Sequence, residues 1–144
     1  MKLDVWQREM DLFEFAFRLA KSVSDFKLKS QFTDAVQSIS ANVAEGYARR
    51  TLPEYLQFLY IAKGSLGETL TRAAGLWRVN LISDGDFEEF DSVHYEVENK
   101  LLALIESLES KRGTGEWIDT LPQSSGQAVS QPRSYQKSIN PLIH

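Results

Sequence analysis

Residues 51–79 read TLPEYLQFLYIAKGSLGETLTRAAGLWRV and carry the clearest helical pattern in the chain. Thr51 can cap the N-terminus, Pro53 falls in the first turn, and Glu54 completes a T-x-x-E capping box. Apolar side chains then follow at steps of three and four residues: Tyr55, Leu59, Ala62, Leu66, Leu70, Ala73 and Trp77. This pattern predicts one helix over about 52–79, roughly 42 Å long at 1.5 Å per residue.

The flanking segments show the same periodicity and predict helices over about 4–23, 27–45 and 84–111. Asp4 followed by Gln7 reads as a capping box for the first of them. No segment alternates polar and apolar residues as a half-buried strand does. We therefore predict an all-α fold, an antiparallel up-and-down four-helix bundle spanning residues 1–112.

Two apolar stripes lie side by side on the first predicted helix. One consists of Trp6, Met10, Phe13, Phe17 and Ala20, and the other of Val5, Leu12, Ala16, Leu19 and Val23. So wide an apolar face predicts burial against more than one neighbouring helix.

Three glycines have positions that call for an explanation. Gly46 follows the second predicted helix, where a left-handed C′ residue is favourable because glycine has no Cβ. Gly64 and Gly67 fall inside the third helix, where each costs up to about 1 kcal/mol relative to alanine. We expect close backbone packing at these two positions.

Residues 113–144 differ in composition, because 15 of these 32 residues are Gly, Pro, Ser or Gln and no helical stripe is present. Such a segment buries too little apolar surface to offset its ordering entropy, so we predict a disordered tail. The alternative is a short docking motif for a partner or a neighbouring subunit, either Trp117–Ile118–Leu121 or Ile139–Leu142–Ile143.

Composition excludes several function classes. The chain has no cysteine and two histidines, His94 and His144, which excludes disulfides, iron–sulfur clusters, cysteine nucleophiles and multi-histidine metal sites. The longest apolar runs, Phe58–Ala62 and Leu101–Ile105, have five residues each, whereas spanning a bilayer takes about 20. No signal-peptide core follows Met1, so we expect a cytoplasmic protein without a membrane-spanning segment.

The net charge of -4 does not predict bulk attraction to nucleic acid. The acidic residues are concentrated in 81–112, which carries 3 Lys or Arg against 9 Asp or Glu. Residues 1–80 carry 11 Lys or Arg and 9 Asp or Glu, and this balance is compatible with a local basic face.

Several motifs identify a family resemblance. Val5-Trp6-Gln7, Asn42-Val43-Ala44-Glu45-Gly46 with Arg49, and Ile61-Ala62-Lys63-Gly64-Ser65-Leu66 stand in the order seen in the bacterial four-helix bundle proteins, also called 23S rRNA intervening-sequence proteins. The chain resembles this family over roughly residues 3–110, with Ser40 where the family usually has proline. The resemblance implies a structural role for the motif residues Asn42, Glu45, Gly46, Arg49, Gly64 and Ser65.

The resemblance also implies a homopentameric ring with a central channel, while the biochemical function of the family is largely unassigned. A related branch, the accessory proteins of diversity-generating retroelements, binds a reverse transcriptase and nucleic acid through a basic surface. In this sequence, Arg49 and Arg50 form a basic corner between the second and third helices, and three further cations lie along the third. The candidate nucleic-acid-binding residues are therefore Arg49, Arg50, Lys63, Arg72 and Arg78. Within one subunit, the same residues are also typical of a solvated helix surface with ion pairs. In a five-fold ring, each arginine would occur five times around one axis, and together they could form a basic annulus.

Within the second helix, we expect Glu45 to pair with Arg49 or to cap the third helix, and Asn42 to satisfy nearby backbone groups. Phe58 and Tyr60 lie off the main stripe and are candidate subunit contacts.

His94 falls on the stripe of the fourth helix, which favours a core or subunit-contact residue. Asp91 and His94 have the carboxylate-x-x-His spacing of a di-iron bundle, but such a site needs a second pair that this sequence lacks.

No P-loop, nucleotide-binding glycine fingerprint or nucleophile elbow occurs, so we predict no catalytic residue, no metal, no cofactor and no small-molecule substrate. The sequence predicts a non-enzymatic oligomeric scaffold that binds RNA or a nucleic-acid-processing partner. The alternative is a purely protein-binding module.

Overall fold

The computed structural model describes residues 3–114, which form four α-helices joined by short loops. The helices are α1 (Asp4–Ala20), α2 (Phe26–Tyr47), α3 (Leu52–Arg78) and α4 (Asp84–Thr114). Each helix packs on its neighbours in the chain, α4 returns against α1, and α2 and α3 share the most extensive interface. The predicted all-α four-helix fold is confirmed. The predicted tail lies outside the described residues except for Gly113 and Thr114, which belong to α4.

The helix starts show which capping predictions were right. Thr51 Oγ1 accepts a hydrogen bond from the Glu54 amide at 3.4 Å, as predicted for α3. The Asp4 prediction was wrong, because the N-cap of α1 is Leu3 and no side chain caps this end. Asp4 is already the first helical residue, and its carboxylate pairs with Lys100 Nζ on α4 at 2.6 Å.

Most of the core face of α1 comes from the second of the two predicted stripes, and Ala20 of the first stripe is also buried. Val5, Leu12, Ala16 and Leu19 are buried, whereas Trp6, Met10 and Phe13 are half-buried and Phe17 is 44% exposed. The two stripes differ by one residue, which is a rotation of about 100° around the helix. Because α1 packs between α2 and α4, only the narrow face between these neighbours is fully covered.

Gly46 does not end α2, which corrects the C′ prediction. The helix continues to Tyr47, and its C-cap Ala48 has right-handed backbone angles. Gly46 is instead a contact point with α3, because a Cβ there would lie 2.9 Å from Phe58 Cβ and 3.0 Å from Tyr55 Cδ1. The glycine therefore permits the close approach of α2 and α3.

Close packing at Gly64 and Gly67 was also predicted, and the structure contradicts it. A Cβ at either position would have no atom of a packing neighbour within 4 Å. These glycines lie towards the outside of α3, where no other helix approaches the backbone.

A left-handed residue does occur after α3. Asn80 has a φ of 64°, the Leu81 amide donates to the Leu76 carbonyl at 2.8 Å, and the Asn80 amide donates to the Trp77 carbonyl at 3.0 Å. This pair of bonds is a Schellman motif with asparagine in the position that glycine usually takes. None of the helices within residues 3–114 is long and apolar enough to cross a membrane.

Candidate functional site

The end of α2 and the start of α3 form the corner at which the sequence places its main basic residues. Arg49 Nη2 lies 2.5 Å from Glu45 Oε2, one helical turn earlier, so the expected ion pair is present. The Arg49 guanidinium also lies over the Phe58 ring, 4.7 Å from its centroid. Glu45 and Phe58 thus contact Arg49 from two sides, and the Glu45 carboxylate offsets part of its positive charge.

A second set of contacts ties the motif residues of α2 to α3. Asn42 Nδ2 donates to the Ser38 carbonyl at 2.8 Å and approaches Ser38 Oγ at 3.1 Å. Ser38 Oγ in turn shares a hydrogen bond of 2.9 Å with Ser65 Oγ. Together with the Gly46 contact, these bonds place Asn42, Gly46 and Ser65 at or beside the α2–α3 interface, whereas Gly64 takes no part in it.

Two of the five candidate cations are engaged by neighbouring groups, Lys63 inside the bundle and Arg72 at its surface. Lys63 is only 3% exposed, and burial lowers its pKa, an effect that Glu109 and Glu98 oppose. Arg72 bonds Gln31 Oε1 on α2 at 3.1 Å and lies 3.5 Å from Glu68 Oε2. The expectation that Lys63 belongs to an accessible basic surface is wrong, because its side chain points between the helices.

The two remaining cations lie at opposite ends of α3. Arg50 precedes the helix and Arg78 is its last residue, and both are exposed. The helix between them, Leu52–Arg78, is about 39 Å long at 1.5 Å per residue. The structure therefore does not bring the five candidate residues together on one face of the subunit.

A family model for the 23S rRNA-intervening sequence protein matches residues 1–103, which include this corner and its motif. The chain belongs to that family. It is also similar to the crystal structure of a protein of unknown function from the S23 ribosomal protein family of Bacteroides thetaiotaomicron, with a TM-score of 0.65 and 20% sequence identity. The likeness covers 70% of this chain and 97% of that one, and it supports the fold. No curated protein matches this sequence.

In this member of the 23S rRNA-intervening sequence family, the two predicted subunit contacts also have partners within the subunit. Tyr60 Oη donates to Glu109 on α4, and Phe58 lies beneath Arg49. Other large apolar side chains are more exposed than these two: Phe17, Phe26, Leu28, Tyr47, Ile61, Val79 and Tyr95.

The core of this family member contains polar residues that sequence reasoning missed. Glu9 is 2% exposed, its two carboxylate oxygens have no hydrogen-bond partner within residues 3–114, and burial raises its pKa to about 8. The sequence does indicate that Glu9 is buried, because Glu9 lies four residues after Val5 and three before Leu12 on the buried stripe. Glu98 and Thr69 are buried as well.

His94 lies in the core, as the stripe of α4 indicated, with Nε2 2.8 Å from the Leu66 carbonyl oxygen. Across residues 3–114, no group of three or more His, Cys, Asp or Glu side chains is placed to hold a metal ion.

Proposed function

We propose that this protein is a non-enzymatic scaffold that self-associates through the outer flank of α1 and serves as a platform for a protein partner. The observation that carries the proposal is the stripe of Trp6, Met10, Phe13 and Phe17, three of them half-buried and the last one exposed. These residues follow helical spacing, and the Phe13 and Phe17 rings lie 4.6 Å apart. Trp6 and Phe13 pack in part against the core, and a row of partly exposed apolar side chains that ends in the exposed Phe17 favours an interface over a solvated face.

RNA binding is the second candidate function. It is favoured by the exposure of Arg50 beside Arg49, because a homopentameric ring of the kind the family resemblance implies would repeat this corner five times. Against it stand the engagement of Arg49 and Arg72 and the burial of Lys63. The protein-binding scaffold therefore has the stronger support.

The test is size-exclusion chromatography of the full chain with light scattering and absorbance at two wavelengths. Five chains of 16.4 kDa weigh about 82 kDa, and we expect a mass near this value with a protein spectrum free of nucleic acid. A mass that stays at 16.4 kDa at all concentrations contradicts self-association.

Paired variants locate the interface. Phe17→Glu places a charge on the α1 flank, and we expect the assembly to dissociate because burying that charge is unfavourable. The control Tyr95→Glu alters a side chain of similar exposure, 48% against 44%, on α4. Dissociation by Tyr95→Glu alone would move the interface away from α1. Circular dichroism verifies that both variants remain helical.

A further inference from the structure

One end of the bundle has three helices where the rest has four. α1 begins at Asp4, which pairs with Lys100, whereas α4 continues to Thr114. From Lys100 to Thr114, α4 rises about 21 Å. α2 and α3 run alongside this part of α4. The rings of Tyr47 on α2 and Tyr55 on α3 lie 6.3 Å apart, and Tyr60 on α3 bonds Glu109 on α4. Within the described residues, no helix extends the line of α1 along this part of α4.

The open space has a defined lining. Lys100 and Glu96 face α1, because they bond Asp4 and Arg8. Leu104, Ser107 and Lys111 follow Lys100 on the same side of α4 at steps of three and four residues. A cavity of about 250 Å³ opens where α1 begins, lined by Leu3, Asp4, Val5, Lys100, Ala103 and Leu104. We call this cavity, together with Ser107 and Lys111, the α1-end groove.

We propose that residues 115–121 of the same chain bind in the α1-end groove. The chain leaves α4 at Thr114, which is the open end of the groove. To reach the cavity, the segment must run back along α4 from Thr114 to Leu104, a distance of about 15 Å. Seven extended residues span up to about 23 Å, so this segment reaches the cavity without strain.

The chemistry of the segment matches the groove. Trp117, Ile118 and Leu121 supply apolar side chains. The cavity is smaller than the roughly 300 Å³ at which small-molecule pockets begin, so it suits one or two side chains.

Charge gives a second match. Glu116 and Asp119 lie among the apolar residues of the segment, and α4 ends in Lys111 and Arg112, beside the point where the segment leaves the helix. Further along, Lys100 is paired with Asp4, and Glu106 and Glu109 are acidic. Complementary charge near the end of α4 favours one docked arrangement over a random contact. A protein partner with a similar acidic and apolar segment would have to displace residues 115–121 before using this groove.

The test is disulfide formation between two introduced cysteines, because the natural chain has none. Ser107→Cys lies in the groove and is paired with Ile118→Cys. The control pairs Glu106→Cys with the same Ile118→Cys; Glu106 is the adjacent exposed residue, about 100° around α4. An undocked tail would link both pairs at similar rates, since the loop lengths differ by one residue.

We expect the groove pair to form its disulfide within one chain about tenfold faster than the control pair, because docking raises the effective concentration of the two thiols. Equal rates would overturn the proposal. Disulfides that join two chains, seen by mass under denaturing conditions without reductant, would show that a second copy fills the groove and would also overturn it.

Fluorescence provides a second measurement, which needs no introduced cysteine. Trp117→Phe removes one of the three tryptophans, so the difference from the natural chain is the emission of Trp117. We expect that emission at a shorter wavelength than in urea, and a shift towards the urea value in Leu104→Asp. Native emission at the urea wavelength would contradict docking. The readout is independent of self-association through α1.

Discussion

At the scale of the residue, Glu9 stands where the helical period of α1 requires an apolar side chain. Its carboxyl group is buried without a hydrogen-bond partner in the described part of the chain, and its pKa rises to about 8. In the unfolded chain a glutamate ionises near pH 4.3. Between these values the folded state holds one proton more than the unfolded state, so folding stability falls as the pH rises.

We therefore expect the free energy of unfolding to decrease by about 1.4 kcal/mol per pH unit between about pH 5 and pH 8 through this group. Glu9→Gln carries no titrating proton, so the variant should lack this part of the slope. Urea denaturation across that pH range measures the slope for the natural chain and for Glu9→Gln. Glu14→Gln, at an exposed position on the same helix, is the control and should keep the natural slope. Parallel slopes for the natural chain and Glu9→Gln would refute the assignment.

At the scale of the element, the α2–α3 interface depends on the absence of a side chain at Gly46. A Cβ would approach Phe58 Cβ to 2.9 Å and the Tyr55 carbonyl oxygen to 3.1 Å, and neither atom can move without shifting α3. We expect Gly46→Ala to lower the free energy of unfolding by about 1–3 kcal/mol.

The matched control is Gly64→Ala on α3, where a Cβ meets open space. Here the gain in helix propensity should raise stability by up to about 1 kcal/mol. Chemical denaturation of the two variants should thus give changes of opposite sign. If Gly46→Ala were neutral, the close approach of α2 and α3 would not depend on this glycine.

At the scale of the whole molecule, the distribution of cations supports the proposed protein partner over RNA. Arg49 is paired, Lys63 is buried, and Arg50 and Arg78 lie at opposite ends of α3. We expect the double variant Arg49→Glu/Arg50→Glu to leave the affinity for a single-stranded RNA oligonucleotide unchanged within about twofold, measured by fluorescence anisotropy at several salt concentrations. A fall of about tenfold with a shallower salt dependence would favour the RNA-binding ring instead.

The sequence by itself determined the features that depend on spacing along one helix. The four helices, the Thr51 cap, the Glu45–Arg49 pair and the core position of His94 all involve partners within a few residues or a single helical stripe. Spacing along one helix predicts these features because side chains three and four residues apart lie on the same face.

Only the tertiary structure decided which of the two stripes on α1 entered the core, because that choice depends on where α2 and α4 lie. It also decided that Gly46 is a packing contact and that Lys63 is buried, since both depend on side chains from another helix. A periodic pattern shows that a face is apolar, but which face is covered is set by the neighbours that pack against it.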